Sequence, residues 1–294
     1  MNRVRPLVIA HRGASGERPE HTRAAYELAI DQGADFIEPD LVLSRDGVLV
    51  VRHENEISGT TDVADHAAFA NRRTTRAVDG LETSGWFTED FTLAELRTLR
   101  ARERLPALRP GNTAFTAEPI LTFDEVLDIA RAGSGRTGRI IGVAPELKHP
   151  SHFAALGLGM EDAFVAVLES RGLTDADAPI LIQCFEAATL KRLRDRLTAP
   201  LLQLIAAARP MADLAAIARY ADWIGVEADL IEPMPGAPTL LIAEAHAAGL
   251  RVAAWTFRAE PVFLPPGDAF SDRVARFAGY GVDALFTDHP GLIP

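Results

Sequence analysis

The chain has 294 residues, of which 48% are apolar, so it is long enough for one large domain or two small ones. Its formal net charge of −11 argues against nucleic acid as a partner, because phosphate backbones require a basic surface. A single cysteine, Cys184, excludes an internal disulfide and a multi-cysteine zinc site. No apolar run approaches the ~18 residues of a membrane span, so we expect no membrane insertion; composition leaves the oligomeric state open.

The N-terminus shows no signal-peptide pattern. Residues 1–6 precede the first predicted strand, and they include no apolar stretch of the required length. The sequence as it stands therefore predicts a cytoplasmic protein. A periplasmic or secreted protein is the alternative if a leader has been removed.

Strand and helix patterns alternate over the first fifty residues. The predicted elements are a strand at 7–10, a helix at 22–32, a strand at 36–43 and a hairpin strand at 48–51. Thr22 is the expected helix N-cap, and Gly33 suits the left-handed position that follows a helix. Asp46-Gly47 is a strong hairpin signal. The pattern is strand, helix, strand, with a hairpin extension.

Residues 54–118 interrupt this alternation. They are richer in Thr, Arg, Asp and Glu, and they contain one well-marked helix start, a capping box formed by Thr92 and Glu95. The segment is small for a core of its own. We therefore interpret it as an insertion after the second strand that packs beside the mouth of the larger fold.

Regular alternation resumes at a second capping box, Thr122 and Glu125, which predicts a helix through Ala132 that Gly133 stops. Further strands are predicted at 140–147, 180–185, 201–205, 223–226, 251–257 and 284–287. Further helices are predicted at 160–170, 187–197, 211–220, 239–248 and 269–278. Eight strands separated by seven helices predict an α/β fold, a closed (β/α)8 TIM barrel in which residues 1–294 form one domain. A doubly wound open sheet is the alternative.

Three carboxylates fall on two of these strands. Glu38 and Asp40 are two residues apart, so their side chains project from the same face of a strand. Burying both is costly unless a cation or a proton neutralises them. Glu146 supplies a third carboxylate, and an oxygen-rich set of this kind suits Mg²⁺, Ca²⁺ or Mn²⁺ better than zinc.

Cationic and titratable side chains lie at the ends of the same strands. Arg12 and Lys148 are candidate ligands for a phosphate. His11 and His53 have the side chain expected for acid–base cleavage of an ester, in which one group removes a proton and the other donates one. Barrel enzymes build their sites at these strand ends.

Other residues near the strand ends complete the set of candidates. Gln183, Phe185 and Trp255 are candidate substrate contacts, and Asp288 follows the last strand. Cys184 points to the opposite face from its two neighbours, so we expect a buried, unreactive thiol. We interpret His21, His66 and His152 as ordinary surface residues of polar loops.

Taken together, these motifs resemble the glycerophosphodiester phosphodiesterase family over nearly the whole chain. The motifs are His11-Arg12-Gly13, Pro19-Glu20-His21-Thr22, Glu38-Pro39-Asp40, Asp46-Gly47 before Val50-Val51-Arg52-His53, Pro145-Glu146-Leu147-Lys148-His149-Pro150, Gln183-Cys184-Phe185-Glu186, Trp255-Thr256-Phe257-Arg258, Gly281-Val282-Asp283 and Thr287-Asp288-His289-Pro290. The long insertion looks like the periplasmic branch. Two positions depart from the usual pattern, Glu54 in place of aspartate and Cys184 in place of serine.

The resemblance implies a TIM barrel with an insertion after its second strand and one divalent cation, Ca²⁺ or Mg²⁺. It implies that Glu38, Asp40 and Glu146 bind this cation and that His11 and His53 are the acid–base pair. The expected activity is hydrolysis of small glycerophosphodiesters, such as glycerophosphocholine, to sn-glycerol 3-phosphate and an alcohol. A barrel that binds phosphodiesters without cleaving them is an alternative. A phospholipase is a further alternative, which the acidic charge and the absence of a basic amphipathic helix disfavour.

Overall fold

A computed structural model describes residues 5–207 and 213–294, and parallel strands joined by helices dominate both parts. The strands are β1 Leu7–His11, β2 Phe36–Glu38, β3 Asp40–Leu43, β4 Leu49–Val51, β5 Thr74–Val78, β6 Leu81–Gly85, β7 Gly142–Val143, β8 Glu146–Leu147, β9 Ile182–Cys184, β10 Leu201–Ile205, β11 Trp223–Glu227, β12 Arg251–Phe257 and β13 Ala284–Thr287.

The α-helices are α1 Arg23–Asp31, α2 Leu93–Leu96, α3 Phe123–Thr137, α4 Pro150–Ala155, α5 Met160–Arg171, α6 Ala187–Arg194, α7 Leu214–Ile217, α8 Ala228–Ile231, α9 Leu241–Ala247 and α10 Phe270–Tyr280. Short 3₁₀ helices cover Val63–Asp65, Ala67–Arg72, Thr88–Asp90, Pro110–Ala114, Pro261–Phe263 and Pro290–Leu292. The α/β class predicted from the sequence is confirmed.

Strand pairing runs in the order β4-β3-β8-β9-β10-β11-β12-β13-β1-β2-β7, and only the β3–β4 pair is antiparallel. The chain passes from β2 to β3 through one residue, Pro39, and from β7 to β8 through residues 144–145. Because β2 continues into β3 and β7 continues into β8, the two ends of this order meet, and the strands make a complete circuit. Parallel strands in this circuit place their carboxyl ends at the same edge.

Two strands predicted as continuous are each divided in two. The predicted strand at 36–43 breaks at Pro39, and the predicted strand at 140–147 breaks before Pro145. Proline has no N–H to donate to the ladder, so it interrupts regular pairing. The two breaks occur side by side, since β2 pairs with β7 and β3 pairs with β8.

Helix starts were predicted better than helix ends. Thr22 caps α1, and both capping boxes are present. The prediction that Gly133 stops a helix was wrong: α3 continues to Thr137 and ends at Gly138, which has a φ of 68°. Gly133 instead permits close packing on α1, since a Cβ there would lie 2.7 Å from Ile30 Cδ1.

The helix predicted at 211–220 begins at residues 211–212, which lie outside the described residues, and its described part is α7. No helix in the two described ranges is both long and apolar enough to cross a membrane.

The predicted insertion, residues 54–118, contains the antiparallel hairpin β5–β6, the short helix α2 and several 3₁₀ turns. Phe91, Leu96 and Leu99 are fully buried, and they belong to the same apolar cluster as the helices around the circuit of strands. A second, smaller cluster includes Ile9, Leu202 and Phe286. The segment therefore shares its core with the rest of the fold.

Candidate active site

The predicted site residues are brought together at one end of the strand circuit. They line or border a pocket of about 390 Å³. Its walls include His11, Arg12, Glu38, His53, Glu146, Lys148, Gln183, Phe185 and Trp255. Asp40 lies directly below this surface, with 1% of its area exposed. The sequence prediction that strand ends from distant parts of the chain form a single site agrees with this geometry.

Three carboxylates form the floor of this site. Glu38, Asp40 and Glu146 each offer an oxygen, and the three oxygens lie within 4.8 Å of one another. Burial, with Asp40 and Glu146 nearby, raises the pKa of Glu38 well above its usual range. Burial also raises the pKa of Glu146, to about 8, although Lys148 opposes the shift.

Asp40 is the most acidic of the three. Burial acts to raise its pKa, but the electrostatic effects of His53 and Lys148 and a hydrogen bond from His21 lower it well below the usual range. Its Oδ1 atom is buried without a hydrogen-bond partner. An unpaired buried carboxylate oxygen within a set of three carboxylates fits a divalent cation with oxygen ligands, and the residues present are therefore suited to such an ion.

Arg12 occupies a left-handed backbone position, with a φ of 60°, directly after β1. Its backbone N–H donates to Glu38 at 2.7 Å. Its guanidinium contacts Asp40 at 3.3 Å and Glu20 at 2.9 Å. The sequence predicted a positively charged side chain at this position. In the structure Arg12 contacts three carboxylates, those of Glu38, Asp40 and Glu20.

Lys148 contacts a different carboxylate of the cluster from the one that Arg12 contacts. Its Nζ is 2.8 Å from Glu146 Oε1 and 3.2 Å from His53 Nε2. The same ammonium is 5.7 Å from the centre of the Phe185 ring. Burial lowers the pKa of Lys148, but Glu146 and Asp40 more than compensate and raise it, so the side chain stays charged.

His11 is fixed through its Nδ1 atom, which lies 2.6 Å from Asp288 Oδ1. Asp288 follows β13, and its other oxygen accepts from Arg109 at 2.6 Å and from Arg258 at 2.9 Å. Burial and the adjacent Arg12 lower the pKa of His11, although Asp288 opposes them. The ring is therefore neutral near pH 7, with Nε2 left for the pocket.

His53 has the same arrangement with different partners. Its Nδ1 lies 2.5 Å from Glu54 Oε1, and Arg104 donates to both oxygens of Glu54 at 3.1 and 2.6 Å. Burial, followed by the charges of Arg12 and Lys148, lowers the pKa of His53 to about 3. The sequence analysis did not identify Arg104 or Arg109 as site residues, because both lie outside the helices and strands.

The interpretation of His21 as a surface residue was wrong. Its side chain is fully buried, with Nε2 2.9 Å from Asp40 Oδ2 and Nδ1 2.9 Å from the Tyr26 hydroxyl. Burial lowers its pKa to about 4. A residue in a loop with a φ of 60° gives no periodic signal, although His21 lies within one of the family-like motifs. It supports a predicted metal ligand from behind.

The remaining predicted contacts form one wall of the pocket. Gln183 donates to Glu38 at 3.2 Å and to the carbonyl of Ala144 at 2.9 Å. The rings of Phe185 and Trp255 pack edge to face, with their centres 5.9 Å apart. Cys184 is buried, as the alternation of side chains along the strand predicted. Burial raises the pKa of its thiol.

Comparison with known proteins gives a consistent result. The model of the glycerophosphoryl diester phosphodiesterase family matches residues 11–292. Glycerophosphodiester phosphodiesterase GDPD6 of Arabidopsis thaliana is 38% identical over 98% of this chain and 85% of its own length. The glycerophosphodiester phosphodiesterase of Haemophilus influenzae is 30% identical over 65% of this chain and 52% of its own length.

A solved structure shares the fold. The phosphodiesterase OLEI02445 of Oleispira antarctica, solved in complex with the product sn-glycerol-3-phosphate, superposes with a TM-score of 0.71 at 24% identity, covering 98% of this chain and 95% of the other. The family match over 11–292 and the similarity to the Arabidopsis relative establish that this chain belongs to the glycerophosphoryl diester phosphodiesterase family, whose members are phosphoric diester hydrolases.

Proposed function

We propose that this chain hydrolyses small glycerophosphodiesters, such as glycerophosphocholine, to sn-glycerol 3-phosphate and an alcohol. The observation that carries the proposal is the meeting of three carboxylates, two cations and two histidines in one pocket. The family supplies the reaction class. A barrel that only binds phosphodiesters has no need for two histidines that are each held through Nδ1.

Glu38, Asp40 and Glu146 would hold one divalent cation, Ca²⁺ or Mg²⁺. Such a cation supplies positive charge next to the phosphoryl oxygens and so favours the transition state. His21 and Gln183 orient two of these ligands, through Asp40 and Glu38 respectively. The Asp40 oxygen without a partner is the observation that most favours a cation over a proton at this position.

Arg12 and Lys148 would both bind the phosphate. Both are charged at neutral pH, and both are nearly buried, so their attraction for an anion is only weakly screened. Arg12 offers a planar fork and Lys148 a point charge. Phe185 and Trp255 would pack against the carbon atoms of the substrate.

His11 would act as the base and His53 as the acid. His11 takes the proton of the attacking hydroxyl as the oxygen of that hydroxyl bonds to phosphorus, and Asp288 then stabilises the imidazolium. His53 donates a proton to the departing alcohol oxygen as the phosphorus–oxygen bond breaks. The low pKa of His53 arises from burial and two nearby cations, and a bound phosphodiester anion would offset their charge.

We further infer that the fold is a (β/α)8 barrel in which residues 54–118 are an insertion after the second strand. The circuit of parallel pairings and the solved relatives support the barrel. The segment begins directly after His53 and ends before α3. It is thus placed to shape the side of the pocket that receives the alcohol.

The test compares His11→Ala with His53→Ala on glycerophosphocholine and on a p-nitrophenyl phosphodiester. Loss of a positioned acid costs ~10²–10⁴-fold when the leaving group needs a proton. His53→Ala should therefore lose at least ~10²-fold in kcat/KM on glycerophosphocholine and recover much of that loss on the activated diester. His11→Ala should be impaired on both.

Two controls define the outcome. A chelator should abolish release of sn-glycerol 3-phosphate by the unaltered protein, and added Ca²⁺ or Mg²⁺ should restore it. Equal losses for both histidine variants on both substrates would contradict the division of roles. Binding of glycerophosphocholine without any release of product would favour the non-catalytic barrel.

A further inference from the structure

Both candidate catalytic histidines are held by the same three-part arrangement. In each case a carboxylate accepts from the Nδ1 atom of the ring, and an arginine then donates to that carboxylate. The two carboxylates, Glu54 and Asp288, are far apart in the sequence. The two arginines come from one short segment, 103–109, within the predicted insertion.

The His11 arrangement is the more buried of the two. Arg109 Nη2 donates to Asp288 Oδ2 at 2.6 Å, and its Nε donates to Glu260 at 2.6 Å. The side chains of Arg109 and Asp288 are 7% and 3% exposed. In such surroundings a charged hydrogen bond is strong, and loss of one partner leaves a buried charge unpaired.

In the His53 arrangement, the arginine contacts two carboxylates at once. Arg104 Nη2 lies 2.7 Å from Glu20 and 2.6 Å from Glu54, so one guanidinium joins two carboxylates. Glu20 in turn contacts Arg12 at 2.9 Å. Arg104 is therefore connected both to a phosphate-binding candidate and to His53, and its side chain is 29% exposed.

The segment that carries these arginines is itself fixed in place. Arg109 Nη1 donates to the carbonyl of Ser15 at 2.8 Å, in the loop after β1. Glu103 accepts from the N–H of Leu105 and from Asn112, both at 2.8 Å. Asn112 also donates to the carbonyl of Ser15, at 3.3 Å. The two arginines are thus anchored to the loop that follows His11 and Arg12.

We propose that Arg104 and Arg109 are positioning residues, through which the segment 103–109 sets the orientation of both histidines by way of Glu54 and Asp288. The inference depends on the proposed roles of His11 and His53. A carboxylate at Nδ1 selects the tautomer with its hydrogen on that atom, and it directs Nε2 toward the pocket. The arginine keeps the carboxylate ionised and prevents its rotation.

The experiment measures kcat and KM for Arg104→Gln and Arg109→Gln on glycerophosphocholine and on a p-nitrophenyl phosphodiester. Because misplacement of a reacting group lowers turnover more than binding, each variant should lose ~10-fold or more in kcat with a smaller change in KM. Arg104→Gln should recover on the activated diester, because His53 serves the leaving group. Arg109→Gln should be impaired on both substrates.

Conservative replacement tests the geometry. Arg104→Lys keeps the charge, but an ammonium cannot hold two carboxylates in the planar manner of a guanidinium. It should recover only part of the loss. In a Glu54→Gln background, Arg104→Gln should add little further loss, since the two changes act through the same histidine.

Arg97→Gln is the matched control. Arg97 belongs to the same predicted insertion and pairs with Glu125 at 2.9 Å, away from both histidines. Loss of this partly exposed pair should leave kcat within about twofold of the unaltered protein. If Arg104→Gln and Arg109→Gln lower only the melting temperature and leave kcat within about twofold, as expected for this control, the inference is overturned.

The outcomes also separate this inference from the proposed function. If His11→Ala and His53→Ala retain turnover, the proposed function fails. If those two variants lose turnover while the arginine variants keep it, only the positioning role fails. Should Arg104→Gln fail to fold, Arg104→Lys measured with and without Glu54→Gln decides the same question: full additivity of the two losses would overturn the inference.

Discussion

The strand ends and the segment 54–118 contribute different parts of the same site. The strand ends carry the three carboxylates, His11 and the two proposed phosphate ligands, Arg12 and Lys148. The segment contributes Arg104 and Arg109, which contact the acids behind the histidines. Residues at or just after the strand ends thus supply the groups proposed to react, and irregular chain supplies the arginines that contact the acids behind the histidines. Each of the following predictions tests one side of this comparison.

The largest effect should come from the strand ends. Glu38→Gln and Asp40→Asn keep the shape of the cluster but remove one negative charge each from the candidate cation ligands. Cation affinity and kcat should fall together, activity by ~10³-fold or more, since a charged ligand and its transition-state stabilisation are both lost. Calorimetry with Mg²⁺ and Ca²⁺, together with product release, measures both.

Glu186→Gln is the control for this prediction. Its carboxylate lies just beyond Phe185 and accepts from Ser151, outside the cluster of three. Removing its charge should leave cation affinity unchanged. Unaltered binding of both cations in Glu38→Gln and Asp40→Asn would show that the cluster is not the cation site.

The second prediction concerns stability and asks whether the two regions unfold together. Phe91 lies in the segment and Phe164 lies on α5, and both are fully buried in one apolar cluster. Phe91→Ala and Phe164→Ala should each lower the free energy of unfolding by ~3–5 kcal/mol. Calorimetry should show one shared transition for both variants. A separate early transition in Phe91→Ala alone would mean that the segment unfolds independently.

The sequence predicted the strand ends well because local rules govern them. Glu38 and Asp40 follow the two-residue period of a strand, and the capping boxes at Thr92 and Thr122 depend on residues three apart. The same rules predicted the α/β alternation. They placed the ten candidate site residues at or near strand ends, and the structure brings these residues to one pocket or its border.

The supporting contacts could not be predicted in this way. Arg104 meets Glu20 across 84 positions, and Arg109 meets Asp288 across 179. Neither arginine lies on a helix or strand, so neither has a periodic pattern that would show its direction. The interpretation of His21 as a surface residue was wrong for the same reason. Only the folded chain shows which acid each cation meets.

The third prediction concerns protons at the strand ends. Burial raises the pKa of Glu146 to about 8 and raises that of Glu38 well above its usual range, so in the cation-free protein protons compete with a cation for these carboxylates. A cation must displace these protons. Affinity should therefore rise with pH toward about 8, by up to ~10-fold per unit for each proton released. Calorimetry in buffers of different ionisation enthalpy should detect that release; affinity independent of pH would contradict it.

The smallest expected effect is on the melting temperature, and it concerns two carboxylates that stabilise the fold away from the site. Burial acts to raise the pKa of Glu232, but hydrogen bonds from Arg276 and Tyr280 lower it to about 2. A hydrogen bond from Arg72 lowers the pKa of Glu95, in the segment, also to about 2. The side chains of Glu232 and Glu95 are 2% and 26% exposed, so solvent screens the second pair more.

Both carboxylates have pKa values below the unfolded value of about 4.3, so the folded state binds fewer protons than the unfolded state between these limits. Their contribution to stability is complete above about pH 4.3 and is lost as the pH falls toward 2. Glu232→Gln should therefore lower the melting temperature at pH 6 more than Glu95→Gln does, and both differences from the unaltered protein should shrink by pH 2.5. A larger effect of Glu95→Gln, or a deficit that persists unchanged in acid, would show that these ion pairs do not act through the protonation of their carboxylates.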